Sequence, residues 1–208
     1  MAVKNIIFDL GGVLLNLDFQ RTFRAFEAMG IPDFQKYFQQ AYSHPLFAKL
    51  EMGQCEPDEF YNMFRKETGT EHGNEKIAEA WNAMLLDFRD NTMNYLQSLQ
   101  ANYRLFLLSN TNQIHLDAFR NIYFQQYGHH GFDHYFEKAW YSHDLGLRKP
   151  DAVCFERVLE MHTLKAGETL FVDDTLPNIQ AAEKLGILTY HLKKDEMVEW
   201  VLPQILNA

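Results

Sequence analysis

Short hydrophobic runs recur along the chain, and each of them ends at a polar residue. Four runs are clear, at residues 6–8, 105–108, 170–172 and 187–190, and a weaker fifth covers residues 136–141. The runs are apolar on both faces, which is typical of parallel strands buried inside a sheet. The pattern therefore predicts a sheet whose strands lie in the hydrophobic core.

Amphipathic segments of helical length alternate with these runs. They cover residues 91–100, 113–121, 150–162 and 178–185. Strands that alternate with helices indicate an α/β fold, in which helices cover both faces of a doubly wound parallel sheet. We therefore predict a Rossmann-like α/β core formed by residues 1–17 and 89–208.

The segment from residue 18 to residue 88 breaks this alternation. It is rich in Phe, Tyr, Gln, Glu and Met, and it has helical patterning with no convincing strand. Three glycines within it, Gly30, Gly53 and Gly69, suit helix ends. We predict that residues 18–88, the cap segment, form about four helices inserted between the first two strands of the sheet and lying over it.

Composition narrows the classes of partner. The formal charge of −9 argues against a nucleic-acid partner, because phosphate backbones attract basic surfaces. Cys55 and Cys154 match no metal-binding spacing and are expected to be free thiols. No apolar stretch is long enough to span a membrane, so we expect a cytoplasmic protein. The expected partner is a small phosphorylated metabolite, and the expected assembly is a monomer or weak homodimer.

Polar residues follow three of the predicted strands directly. Asp9 follows the first, Ser109 and Asn110 the second, and Asp173 and Asp174 the run at residues 170–172. The carboxyl ends of the strands in an open parallel sheet form the ligand crevice. These side chains are therefore expected to meet at one edge of the sheet.

A lysine belongs with this set. Lys149 precedes Pro150, which suits the first position of a helix and holds Lys149 in an extended conformation. Carboxylates are the oxygen ligands that Mg²⁺ prefers, and Mg²⁺ with Lys149 would neutralise a phosphoryl group. A carboxylate such as Asp9 can then attack phosphorus, while Gly11 and Gly12 allow a tight backbone approach.

The motifs, in this order and spacing, resemble the haloacid dehalogenase superfamily. They are FDLGGVL at residues 8–14, LSNTN at 108–112, RKPD at 148–151 and FVDD at 171–174, with Asn178 following. The chain is most similar to the sugar-phosphate phosphatases typified by α-D-glucose-1-phosphatase and to the phosphatase domain of soluble epoxide hydrolases. The resemblance covers essentially the whole chain and implies a phosphatase with a helical cap.

The resemblance also implies residue roles. Asp9 would be the nucleophile and a Mg²⁺ ligand, Asp174 the second carboxylate ligand, and Asp173 a support for the metal. The phosphoryl oxygens would be bound by Ser109, Asn110 and Lys149, and Lys149 would also stabilise the phosphoaspartate.

Gly11 departs from the superfamily pattern. Most of its phosphatases have a second Asp at this position, which acts as general acid and base. The backbone carbonyl of Gly11 can still bind Mg²⁺, but glycine cannot transfer a proton, a function typically worth about 10²- to 10⁴-fold in rate. We therefore expect slow turnover or a preference for esters with a good leaving group, such as glucose-1-phosphate.

Other activities remain open. A 2-haloacid dehalogenase also uses an Asp nucleophile without a second Asp, but it needs no metal, and the pair Asp173–Asp174 disfavours it. A phosphomutase is disfavoured because it relies on the missing acid–base residue. A non-catalytic binding protein of the same fold is the alternative from a different class.

Residues of the cap segment are ambiguous. Asp18 is a candidate for the missing acid, although the N-cap of the first cap helix is the simpler interpretation. Four others either line the substrate face or form the cap's own core: Trp81, Phe47, His44 and Tyr42. The pair His129–His130 is interpreted as part of a surface loop.

Overall fold

The computed structural model of the chain describes residues 2–35 and 45–206. The strands of this part are β1 (Asn5–Phe8), β2 (Leu15–Leu17), β3 (Leu85–Phe88), β4 (Arg104–Ser109), β5 (Lys138–Tyr141), β6 (Thr169–Asp173) and β7 (Leu188–His191). Five of them form one parallel sheet in the order β5-β4-β1-β6-β7. The predicted parallel sheet is confirmed, with β1 at its centre.

The helices of the described residues follow in chain order. They are α1 (Phe19–Ala28), α2 (Pro45–Glu51), α3 (Pro57–Thr68), α4 (Asn74–Asn82), α5 (Asp90–Leu99), α6 (Gln113–Tyr127), α7 (Ser142–Leu145), α8 (Ala152–Met161), α9 (Leu176–Lys184) and α10 (Val198–Leu206). Short 3₁₀ turns lie at Phe132–Tyr135 and Ala166–Glu168. Among the described helices, none is long and apolar enough to cross a bilayer.

Helices cover both faces of the sheet. Alternate side chains of β1 point to opposite faces, so Ile6 packs with Phe119 of α6 in one hydrophobic cluster. Ile7, the next residue, belongs to a separate cluster with Phe155 of α8 and Ile179 of α9. This is the doubly wound α/β arrangement that the alternating pattern predicts.

Two predicted helix boundaries are wrong. The helix predicted at residues 113–121 extends to Tyr127. Helix α8 begins at Ala152, with Asp151 as its N-cap, so Pro150 does not occupy the first helical position. The backbone N–H of Asp151 donates to the carbonyl of Arg148 at 3.1 Å, which closes a turn around Lys149 and Pro150. The Lys149–Pro150 peptide bond is cis. The helix starts only after this turn.

Helices α1–α4 lie in the cap segment and share a hydrophobic cluster rich in aromatic residues. Phe26 stacks on Phe34 with ring centroids 4.0 Å apart, and Phe47 lies 4.9 Å from Trp81. These side chains are buried in the same cluster. The cap helices therefore have a core of their own, while their status as a separate domain stays a prediction.

The expectation of no strand in residues 18–88 is wrong. Strand β3 lies at the end of this segment and pairs antiparallel with β2, which precedes it. Each of these strands is too short to give a clear pattern of apolar residues, and its partner is distant in sequence. The small sheet joins the two places where the chain passes between the main sheet and the cap helices.

Candidate active site

Lys149 lies at the centre of the site. Its side chain is only 1% exposed, and its Nζ donates to Oδ1 of Asp9 and to Oδ2 of Asp173, each at 2.7 Å. Asp9 follows β1, Asp173 ends β6, and these two strands are neighbours in the sheet. The topology therefore brings together residues that are far apart in sequence.

The two consecutive carboxylates differ in surroundings. Asp173 is fully buried and accepts hydrogen bonds from the backbone N–H of Thr175 at 2.7 Å and from Nδ2 of Asn178 at 3.0 Å. Asp174 is exposed, and its Oδ1 accepts from the hydroxyl of Thr175 at 3.2 Å. Asp173 is thus fixed by protein donors, whereas Asp174 faces the cleft.

A glycine allows the loop after β1 to approach Asp174. Gly12 has a φ of +74°, and a Cβ built on it would lie 2.2 Å from Oδ2 of Asp174. Any other residue would therefore collide with this carboxylate. The contact explains one of the two glycines that follow Asp9 and Leu10.

The charges at this point do not balance. Three carboxylates, those of Asp9, Asp173 and Asp174, offer oxygens within 4.8 Å of one another and share one ammonium group, that of Lys149. Burial raises the pKa of Asp9 to about 7. Burial also raises the pKa of Asp174, with Asp173 adding to the effect. The surplus of negative charge and the hard oxygen donors fit a divalent cation.

Lys149 keeps its proton in this environment. Burial by itself would lower its pKa, but the adjacent carboxylates of Asp173 and Asp9 more than compensate and raise it. The ammonium group is therefore a permanent positive charge beside Asp9.

Ser109 and Asn110 lie at the end of β4 but differ in orientation. Ser109 is 3% exposed and lines the cleft. The side-chain amide of Asn110 forms a reciprocal pair with the backbone of Lys149: Nδ2 donates to its carbonyl at 2.8 Å, and Oδ1 accepts from its N–H at 2.9 Å. Asn110 thus fixes Lys149, a role that the sequence did not indicate.

A cleft of about 860 Å³ opens above these residues. The main sheet's carboxyl edge forms one wall, and residues of the cap helices, among them Asp18, Glu51 and Trp81, form another. Oδ1 of Asp18 accepts from the N–H of Gln20 at 3.0 Å, so Asp18 is the N-cap of α1. The simpler interpretation of Asp18 is therefore confirmed.

The remaining ambiguous residues fall into different places. Phe47 is buried in the cap cluster, and Trp81 is buried there too while one part of it lines the cleft. His129 and His130 are exposed in a loop, as predicted. His44 and Tyr42 lie outside the described residues.

Two polar groups of the cleft wall were not predicted from the sequence. Nη2 of Arg148 lies 2.9 Å from Oε2 of Glu51, which is the last residue of α2. His115 of α6 lies with Nδ1 2.7 Å from Oδ1 of Asn82, and burial lowers its pKa to about 3. His115 is therefore neutral. It lies four residues after Thr111 of the LSNTN motif.

An α/β fold with carboxylates and a buried lysine at the carboxyl edge of its sheet, under helices that form a second wall, defines a class of metal-dependent hydrolases. The family model of the haloacid dehalogenase-like hydrolases matches residues 3–186. The chain belongs to this family, and the resemblance found in its motifs is confirmed.

Individual relatives agree with this assignment. A D-ribitol-5-phosphate phosphatase of Bacteroides thetaiotaomicron is 29% identical over 206 residues, which are 99% of this chain and 100% of the relative. A sesquiterpene phosphatase of Aspergillus oryzae is 29% identical over 91% of this chain and 89% of its own length.

A solved structure adds the cofactor. A haloacid dehalogenase family enzyme from Bacteroides thetaiotaomicron, in complex with magnesium and inorganic phosphate, superimposes with a TM-score of 0.87 at 33% identity, over 96% of this chain and 99% of that one. The chain is a phosphatase of this family with Mg²⁺ as its cofactor, as predicted. The likeness to the glucose-1-phosphatases finds no support in these relatives and stays a prediction.

Proposed function

We propose that this chain hydrolyses phosphomonoesters of small hydroxylated metabolites through a phosphoaspartate on Asp9. The observation that supports the proposal is the position of Lys149, whose Nζ lies 2.7 Å from both Asp9 and Asp173 beside the carboxylate of Asp174. A carboxylate next to a permanent positive charge can accept a phosphoryl group, whose oxygens need neutralisation.

The proposed reaction has two steps. Because Lys149 donates to Oδ1 of Asp9, the other oxygen, Oδ2, attacks phosphorus, and the ester P–O bond breaks. The leaving oxygen takes a proton from water. A second water molecule then attacks phosphorus and loses a proton to the hydroxide left by the first, the bond to Asp9 breaks, and inorganic phosphate is released with Asp9 restored.

The remaining residues hold the reacting groups. Asp9, Asp174 and the carbonyl of Gly11 would hold Mg²⁺, which supplies positive charge to the phosphoryl oxygens when bound. Asp173 supports this set by fixing Lys149. Ser109 would donate its hydroxyl to a phosphoryl oxygen, and Asn110 would donate its backbone N–H, since its side chain is used on Lys149.

The leaving group is where the missing acid matters. With glycine at position 11, the best substrates are esters whose alcohol departs with little protonation. An anomeric oxygen is such a group, because the ring oxygen withdraws electron density. We therefore propose sugar phosphates such as glucose-1-phosphate as substrates, and the phosphatase relative named above makes D-ribitol-5-phosphate the second candidate.

A panel of phosphate esters assayed with Mg²⁺ tests the proposal. The wild type should release phosphate, and Asp9→Asn should lower kcat by about 10³-fold or more, because the nucleophile is removed. Asp18→Asn, which changes a cleft carboxylate assigned to helix capping, is the matched control and should retain activity.

Three substrates and one chelator then separate the alternatives. Glucose-1-phosphate should be hydrolysed faster than D-ribitol-5-phosphate and glycerol-3-phosphate; equal or reversed rates would remove the leaving-group argument. Activity should vanish with EDTA and return with Mg²⁺. Metal-independent release of halide from a 2-haloacid would instead identify a dehalogenase, and no turnover of any ester would leave a binding protein.

A further inference from the structure

A half-buried ion pair connects the cap helices to the core at the wall of the cleft. Glu51 ends α2, and Arg148 immediately precedes Lys149 in the chain. Nη2 of Arg148 lies 2.9 Å from Oε2 of Glu51, with side-chain exposures of 12% and 25%. Both residues line the cleft.

The turn after α2 fixes Glu51 in this position. Gly53 has a φ of +63°, and a Cβ built on it would lie 2.2 Å from the backbone carbonyl of His143 in α7. The N–H of Gln54 donates to the carbonyl of Lys49 at 2.8 Å, which closes the helix end. The end of α2 is therefore held against α7. This contact fixes the backbone of Glu51 and so helps to position its carboxylate.

The charges of the pair decide what it can bind. A lone guanidinium beside a phosphate site would attract a second anionic group, since arginine matches carboxylates and phosphates. Glu51 cancels that charge. Burial raises the pKa of Glu51, and Arg148 opposes this effect. What the pair offers the cleft is one set of N–H donors and one carboxylate acceptor without net charge, which matches hydroxyl groups.

We propose that Glu51 and Arg148 select the leaving group: they hydrogen-bond a neutral, hydroxylated alcohol and reject one with a second negative charge. The inference rests on the proposed function and names its substrate class more closely. Selection would work through an unfavourable contact, because the Glu51 carboxylate repels an anion that Arg148 would otherwise bind.

Two matched substrates test this selection. Glycerol-3-phosphate and 3-phosphoglycerate differ only in a terminal CH₂OH against a carboxylate. The wild type should prefer glycerol-3-phosphate by kcat/KM. Glu51→Gln keeps the size of the side chain but removes its charge, and it should lower the ratio of the two kcat/KM values about tenfold, mainly through a smaller KM for 3-phosphoglycerate.

Two further variants separate selection from a structural effect. Glu59→Gln removes a charge from an exposed position of the neighbouring helix α3 and should leave the ratio unchanged. The double variant Glu51→Gln/Arg148→Met should not show the smaller KM for 3-phosphoglycerate that is expected of Glu51→Gln, because the guanidinium that would bind the carboxylate is gone.

The outcomes are distinguishable. An unchanged ratio in Glu51→Gln, or an equal loss on both substrates, would overturn the selection while the phosphatase stands. A double variant that keeps the gain would overturn the role of Arg148. A wild type that hydrolyses no ester would remove the proposed function itself, and the selection with it. If Glu51→Gln does not fold, Arg148→Met replaces it. This variant should have a lower kcat/KM on glycerol-3-phosphate and no higher kcat/KM on 3-phosphoglycerate.

Discussion

The ionisation state of Asp9 depends on its burial and on the charges of the neighbouring side chains. Burial raises its pKa to about 7, and a carboxyl group must lose its proton before it binds a cation. Asp9 is therefore protonated below about pH 7 in the metal-free chain. We expect the affinity for Mg²⁺ to rise as the pH increases from about 6 to about 8, by at most about tenfold per unit below the pKa.

Calorimetric titration with Mg²⁺ at three pH values measures this affinity. Proton release, obtained by repeating the titration in buffers of different ionisation enthalpy, should be largest at low pH. The matched variant Asp18→Asn should show the same dependence as the wild type. An affinity that stays constant over this range would show that Asp9 is ionised throughout.

An added acid at position 11 can be accommodated if the side chain of Leu17 shifts. The backbone φ of Gly11 is not positive, so its conformation suits other residues. A Cβ on it would lie 2.7 Å from Cδ1 of Leu17, which is the end of a flexible side chain. Gly11→Asp should therefore raise kcat on glycerol-3-phosphate, by about 10²-fold if the carboxyl group reaches the leaving oxygen.

Steady-state kinetics on two substrates measures the effect of this acid. The gain should be smaller on glucose-1-phosphate, whose leaving group needs less protonation. Gly11→Asn has nearly the same size without a proton to transfer, and should show no gain. An equal gain in both variants would assign the effect to the shape of the loop.

The sequence indicated which residues line the candidate site better than it indicated the residues that support them. Asp9, Ser109 and Asp174 each stand at the end of a parallel strand, and the ends of parallel strands share one edge of the sheet. The contact between Asn110 and the backbone of Lys149 has no such signature, because it depends on how two loops meet. The same holds for Glu51, whose partner is 97 residues away in a segment with no common pattern.

At the scale of elements, the turn after α2 positions a helix end. Gly53→Ala places a methyl group against the carbonyl of His143 at a backbone conformation that disfavours side chains. We expect a loss of about 2–3 kcal/mol in the free energy of unfolding, together with a raised KM, because α2 and Glu51 must shift.

A second glycine provides the control for this turn. Gly69 ends α3 with a φ of +71°, and a Cβ on it would meet no atom within 4 Å. Gly69→Ala should therefore show only the conformational cost, about 1 kcal/mol, and an unchanged KM. Denaturant unfolding and steady-state kinetics of both variants measure the two effects. Equal losses would mean that the contact with His143 is relieved at little cost.

The elements of the main sheet were predictable because their burial is written into their composition. Strand β1 is buried along its whole length, so every residue except Asn5 is apolar. Strand β3 escaped prediction because it has only four residues, and only its last is buried. The start of α8 was misplaced because a proline suits a turn as well as a first helical position.

At the scale of the whole molecule, the two walls of the cleft have separate hydrophobic clusters that are connected by direct contacts. Ile114, at the start of α6, packs into the cluster of the cap helices. Strands β2 and β3 supply the paired chain connections, and the Asp18 N–H donates to the Met84 carbonyl at 2.9 Å beside them. These contacts, together with the ion pair of Glu51 and Arg148, hold the two walls of the cleft in position.

The charge of the site also affects the stability of the whole chain. When all three carboxyl groups are ionised, they and the one ammonium group leave a surplus of two negative charges, and a Mg²⁺ ion would cancel it. A ligand that binds only the folded state stabilises it by about 2.7 kcal/mol at a concentration 100-fold above its Kd. For a chain of this size, that corresponds to a rise in Tm of about 5–10 °C.

Asp174→Asn separates this linkage from a general effect of salt. Without Mg²⁺ the variant should melt at a higher temperature than the wild type, because one repulsive charge is gone and the pKa of Asp174 is already raised by burial and Asp173. With Mg²⁺ the order should reverse, since the variant lacks a carboxylate ligand. Thermal unfolding of both proteins with Mg²⁺, and with NaCl at matched ionic strength, measures the crossing. Parallel shifts in the two proteins would place the ion elsewhere and remove Asp174 from its ligands.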